Sequence, residues 1–98
     1  LFTSGQIAIN PASGQVEADT IEGQTEQVMQ NLAALLEEAG ASFDSVIKTT
    51  CFLSDMADFA AFNAIYGAYF VSKPARSCVA AKQLPKNVLV EVELIAAV

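Results

Sequence analysis

The chain contains no histidine and no tryptophan, two cysteines (Cys51 and Cys78), and five lysines and arginines against eleven aspartates and glutamates. Each shortage removes a class of chemistry. Without histidine there is no Ser-His or Cys-His catalytic pair, and two cysteines alone make no recognisable zinc site, so no metal is expected. Thiols isolated in two strand-like runs do not form a disulfide framework; a reducing compartment, and hence a cytoplasmic location, is the default expectation. A net charge of −6 opposes long-range attraction to phosphate backbones, so nucleic acid is not an expected partner. No apolar run approaches the length of a membrane span and no basic-then-apolar leader is visible, so no membrane partner is expected either.

What the chain has in excess is apolar surface. Hydrophobic residues make up 53% and charged residues 16% of its 98 residues, where about 25% charged is usual. That length predicts one domain, spanning residues 1–98, with a modest core. So few charges leave too little polar surface for a monomer, which predicts an oligomer that buries the surplus.

Leu1 to Ile9 reads as a strand, and Asn10-Pro11-Ala12-Ser13-Gly14 supplies turn chemistry before Gln15-Val16-Glu17, giving a hairpin. Asp19 followed by Glu22 fits a capping-box start. From there Ile21, Val28, Leu32, Leu35, Leu36 and Ala39 recur at helical spacing, with Gly40 at the position after the C-cap. Ser45 to Leu53 is β-branched and aromatic, as a central strand should be, with Cys51 as a small core residue. Asp55 or Asp58 then caps a second helix carrying the stripe Phe59, Phe62, Ile65, Tyr66, Tyr69 and Phe70, a pattern that ordinarily marks core. Asn63 lies about 100° from Phe62 on that helix, so either a polar pocket contact or a surface position fits. The order strand, strand, helix, strand, helix, strand, strand predicts an α+β fold, with both helices on one face of a mixed sheet.

Two strand-like runs carry the chemistry: Pro74-Ala75-Arg76-Ser77-Cys78-Val79-Ala80-Ala81, and Val88 to Ala96 with Glu91 and Glu93 among apolar neighbours. Side chains alternate along a strand, so Arg76 and Cys78 share a face, as do Glu91 and Glu93. A guanidinium, a thiol and a carboxylate are thus candidates to line one cleft. An arginine in an apolar strand needs an anionic partner, and two partners fit equally: a small carboxylate or phosphate ligand, or a structural ion pair with Glu91 or Glu93.

Taken together, Thr3-Ser4-Gly5-Gln6-Ile7, Val46-Ile47-Lys48-Thr49-Thr50, Asp58-Phe59-Ala60, Asn63-Ala64-Ile65-Tyr66, Pro74-Ala75-Arg76-Ser77-Cys78 and Leu84-Pro85-Lys86 through Glu91-Val92-Glu93 resemble the RidA family. That family is also called YjgF or L-PSP, the reactive intermediate or imine deaminases. The resemblance spans nearly the whole chain, in order. It implies a chorismate-mutase-like α+β domain, assembled as a homotrimer with ligand pockets between subunits. It also implies hydrolysis of 2-enamino and 2-imino acids, such as 2-aminoacrylate, to 2-keto acids and ammonia, without a cofactor. By the same resemblance Arg76 holds the substrate carboxylate and Glu91 positions or activates water. Cys78, Asn63, Ser4 and Gly5 line the substrate pocket. The family's pattern also includes an earlier G-P-Y strand whose tyrosine reaches the pocket, a role no residue here takes. The Val71-Ser72-Lys73 connection is shorter than the family's loop, so residues are expected to be missing there and ahead of Leu1.

Three other classes compete with the deaminase. One is a trimer that binds small carboxylates without turnover, another a holdase-type chaperone, and the last a ribonuclease, which the charge balance places behind the others.

Overall fold

The computed structural model describes all of residues 1–98. Its elements are β1 (Ile9–Asn10), β2 (Gln15–Val16), α1 (Ile21–Glu38), β3 (Val46–Leu53), α2 (Phe59–Tyr69), β4 (Ala75–Ala80) and β5 (Val90–Ala96). Single turns of 3₁₀ helix precede β3, α2 and β5.

The first strand is shorter than the sequence suggests. Leu1 to Ile9 lies along β5 as an edge segment, with Phe2 bridging Ile95 and Gln6 bridging Val92. Those bridges span four steps on one side (2 to 6) and three on the other (95 to 92), so one residue bulges out between Phe2 and Gln6. Only Ile9 and Asn10 then pair with Gln15 and Val16 across the turn, where Asn10 Oδ1 accepts from Ala12 N–H at 2.9 Å.

Helix α1 begins one residue later than its carboxylate signal implied. Thr20 is the N-cap, extended at φ −105, ψ 156, and its hydroxyl accepts from Gly23 N–H at 3.1 Å. Asp19 stands outside the cap. At the other end Gly40 adopts φ +75, which lets Ala41 N–H reach Leu36 O at 2.8 Å and Gly40 N–H reach Glu37 O at 3.0 Å. This is the Schellman stop that the glycine predicted. At α2, Asp55 caps the preceding 3₁₀ turn through Ala57 N–H at 2.8 Å, whereas the Asp58 side chain makes no capping bond.

The main sheet has the order β4-β3-β5. Strand β3 pairs parallel with β4 and antiparallel with β5, so the sheet is mixed, and the N-terminal segment extends it beyond β5. Both helices cover one face. Val28, Met29, Leu32 and Leu36 of α1 and Phe62 and Tyr66 of α2 meet Cys51 and Leu53 of β3 and Val90, Val92 and Leu94 of β5 in a single core. The other face is uncovered, leaving Phe2, Ile47 and Val79 exposed. No helix is long and apolar enough to cross a membrane.

Candidate functional site

Arg76 pairs with Thr49 in the β3–β4 register and Cys78 pairs with Cys51. Thr49 and Cys51 are fully buried, so Arg76 and Cys78 both point to the helix-covered face, as the alternation of strand side chains requires. There α2 meets Arg76 with residues spaced four and then three apart. The guanidinium carbon lies 5.3 Å from the Phe59 ring centroid and 4.6 Å from that of Tyr66. Between them Nη1 donates to Asn63 Oδ1 at 2.5 Å. Asn63 thus takes the pocket position, not the surface one, because the helix stripe that holds it faces the β4 edge.

Arg76, Asn63 and Tyr66 also wall an open cleft of about 640 Å³, lined by Phe70 and Lys73 among others, with no aspartate or glutamate. Lys73 and Arg76, two of the five cations in a chain of net charge −6, both face it. Cys78 shares the face of Arg76 but lies outside the cleft lining. Burial pushes its thiol up from its ordinary range, opposed by the Arg76 charge. Cys51 is a core residue, its thiol pushed up to about 12 by burial. Burial disfavours the thiolate form of both cysteines, which makes them poor nucleophiles.

The carboxylate stands elsewhere. Glu91 pairs with Phe52 and Glu93 with Thr50, on the face opposite Thr49, Cys51 and Arg76. Because β3 lies between β4 and β5, and Arg76 is level with Thr49 while Glu91 is level with Phe52, the two are two strand spacings and three residues apart, roughly 14 Å at the backbone. A single chain therefore does not bring the guanidinium, the thiol and the carboxylate into one cleft. It also makes no Arg76–Glu91 ion pair. The sequence treated the two runs as neighbours, and the intervening β3 is what separates them.

Gly5 lies against Glu91, and Ser4 precedes it in the N-terminal segment, accepting from Gln6 Nε2. Ser4 and Gly5 lie where that segment bulges along β5, and a Cβ on Gly5 would come within 2.8 Å of the Glu91 carboxyl carbon. Asn31 of α1 ties this segment down, donating to Ile7 O at 3.2 Å and Ile9 O at 2.9 Å. The predicted residues thus fall into two groups, Arg76, Asn63 and Cys78 on the helix-covered face, and Gly5 with Glu91 on the other, with Ser4 next to Gly5 in the chain. The rings of Phe59 and Tyr66 were not anticipated as site residues. Their spacing to Asn63, which places all three on one helix stripe, was the available signal. Nowhere do three or more cysteines, aspartates or glutamates cluster as a metal site would require.

Comparison with known proteins agrees with this architecture. The family described as Endoribonuclease L-PSP matches residues 1–98. A RutC family protein of Synechocystis is 52% identical over 98% of this chain and 76% of its own length. The 2-iminobutanoate/2-iminopropanoate deaminase of Escherichia coli is 45% identical over 98% of this chain and 77% of its own. Among solved structures, the Rid family protein YyfA of Yersinia pestis superimposes with a TM-score of 0.96 at 44% identity, over 99% of this chain and 79% of that one. Escherichia coli TdcF with bound serine does so with 0.92 at 40% identity, over 99% and 79%. With the match running from the first residue to the last, this chain belongs to the L-PSP family, the group also known as RidA or YjgF.

Proposed function

We propose that this protein hydrolyses 2-imino and 2-enamino acids to 2-keto acids and ammonia, in a site that two copies of the chain build together. The observation that carries this reading is Arg76. Its guanidinium is partly buried, fixed by Asn63 and two aromatic rings, and neutralised by no carboxylate in its cleft. A cation held in that way keeps most of its N–H fork free for the bidentate grip of a small carboxylate, at about 1.5–3 kcal/mol for a charged hydrogen bond. The name of the Escherichia coli relative supplies the reaction class, and the serine bound to TdcF is an α-amino carboxylate of the proposed size.

In the proposed reaction Arg76 anchors the carboxylate, and the imine carbon next to it takes the attack. Glu91 of a second copy removes a proton from water as its oxygen bonds to that carbon. That proton passes to nitrogen to give a carbinolamine, whose hydroxyl proton then follows to the same nitrogen as the C–N bond breaks, so the carbonyl forms and ammonia leaves. A 2-enamino acid enters this sequence after its nitrogen's proton has moved to the β-carbon to give the imine. Such imines already hydrolyse in water, so general acid–base help of about 10²–10⁴-fold is enough. Burial of the uncovered sheet face, with its exposed Phe2, Ile47 and Val79, supplies a reason for copies to associate, and a homotrimer is the assembly the family resemblance implies. The reaction would run in the cytoplasm, where the dehydratases that form such imines act.

The experiment couples a serine or threonine dehydratase to the purified protein and follows keto acid release. The protein should accelerate it, and Arg76→Ala should abolish the gain; undiminished acceleration by Arg76→Ala removes the anchor and the proposal with it. One observation favours a second reading, binding of 2-keto acids without turnover: the anchoring groups stand together within one chain, whereas its carboxylate lies on the opposite face. A wild-type protein that binds 2-ketobutanoate and releases no ammonia would establish that reading.

A further inference from the structure

We infer that Tyr66 positions Arg76 for its carboxylate through the face of its ring, and that the Tyr66 hydroxyl serves to lock that ring against Thr49. The inference rests on the proposed function, since it takes Arg76 as the substrate anchor.

An arginine in a half-buried position is usually held by an acid, which also occupies its N–H fork. Arg76 is held by neutral groups. The Tyr66 ring lies 4.6 Å from the guanidinium carbon, inside the distance at which a ring quadrupole attracts a cation. The ring attracts the charge without accepting a hydrogen bond from it, and Asn63 takes the one guanidinium donor that is paired, so most of the N–H fork stays available. The ring itself has no freedom. Tyr66 is 6% exposed, stacks on Phe70 at 4.4 Å between centroids with an interplanar angle of 25°, and packs against Phe62 at 5.6 Å. Its hydroxyl is 2.7 Å from Thr49 Oγ1, and Thr49 is the register partner of Arg76 itself. Strand β3 therefore pins the ring at the same level of the sheet as the side chain the ring supports. Burial holds the phenol above its ordinary range, so it stays neutral and does not compete with substrate for the positive charge.

The test varies the ring's electronics at constant shape, in the purified full assembly. Tyr66 is replaced by phenylalanine and by phenylalanines of increasing ring fluorination, which drain the negative face stepwise, and 2-ketobutanoate affinity is measured by calorimetry. Tyr66→Phe keeps the ring face but loses the hydroxyl's hold on Thr49, so it should weaken binding by about threefold, less than the most fluorinated ring does. The most fluorinated ring and Tyr66→Leu should each weaken binding about tenfold, equivalent to about 1.4 kcal/mol. A residue that merely fills space would give a flat series, and a flat series in folded protein overturns the inference. If Tyr66→Leu does not fold, the fluorinated rings decide alone. The Arg76 Nε–H resonance gives a readout without ligand: the ring current should shift it upfield in wild type and Tyr66→Phe, and an unshifted signal there also overturns the inference. Failure of wild-type protein to bind 2-ketobutanoate sinks the proposed function, while that resonance still decides whether the ring holds the arginine.

Discussion

The carboxylate of Glu91 lies against the bare Cα of Gly5. A Cβ built there would come within 2.8 Å of the Glu91 carboxyl carbon and 3.1 Å of its Cγ. Real Cβ contacts are not that short, so any side chain at position 5 must push Glu91 aside. The obstructing atoms belong to the end of a flexible side chain rather than to backbone, so the fold can absorb the change. Gly5→Ala should therefore keep its thermal midpoint within a few degrees of wild type while lowering kcat by at least about tenfold, with 2-ketobutanoate affinity little changed. Equal kcat in Gly5→Ala would show that the placement of Glu91 against Gly5 has no bearing on rate.

Gly40 separates backbone conformation from packing. Its φ is +75 and nothing lies within 4 Å of a Cβ added there, so Gly40→Ala meets no clash and bears only the strain of a left-handed residue closing α1. The expected loss is about 1–2 kcal/mol, which for a domain this small lowers the melting midpoint by several degrees. Chemical denaturation measures it directly. A neutral result would mean that the helix end refolds around a different cap.

Alkaline pH should destabilise the fold through Cys51. Burial pushes its thiol from 9.0 up to about 12 in the native state. Above pH 9 the unfolded chain has released this proton and the native chain has not, so the unfolded state binds fewer protons and stability falls as pH rises. The loss is about 1.4 kcal/mol per pH unit across the window from 9.0 to about 12. Tyr66, also raised by burial, adds a loss of the same sign at higher pH. Denaturant titrations at about pH 8, 9 and 10 should show the decline begin. Cys51→Val, which has no proton to lose, should flatten it.

Local signals in the sequence were reliable wherever one element decides the outcome. The alternation from Val88 to Ala96 placed Val90, Val92 and Leu94 in the core, and Gly40 marked the end of α1. The helix cap moved from Asp19 to Thr20 because side-chain acceptors are adjacent there and backbone geometry selects between them. The N-terminal strand is interrupted between Phe2 and Gln6, where Gly5 lies against Glu91, a contact between residues at opposite ends of the chain. Strand order was the least legible feature. Nothing in the runs around Arg76 and Glu91 says that β3 will insert between them, or that their registers against it, Arg76 level with Thr49 and Glu91 with Phe52, put the two charges on opposite faces. The arginine's neighbours were partly visible, since Phe59, Asn63 and Tyr66 share a helix stripe, but the stripe resembled ordinary core until its partner strand was known.

The separation of Arg76 from Glu91 within one chain makes the composite site testable by mixing. Arg76→Ala subunits retain Glu91, and Glu91→Gln subunits retain Arg76, so each homogeneous assembly should be inactive. If a working site takes its arginine from one copy and its carboxylate from the next, co-refolding the two variants in equal amounts recreates an intact pair wherever a Glu91→Gln copy donates the arginine and an Arg76→Ala copy the carboxylate. In a closed ring of identical interfaces that happens at about one site in four. The mixture should recover roughly a quarter of wild-type activity, and simple mixing without subunit exchange should recover none. Both halves belonging to one chain predicts no recovery under either condition, because each variant would then carry its own defect into every site. Recovery near a quarter would tie the rate to a contact that exists only between copies, as the opposite-face placement of these two residues requires.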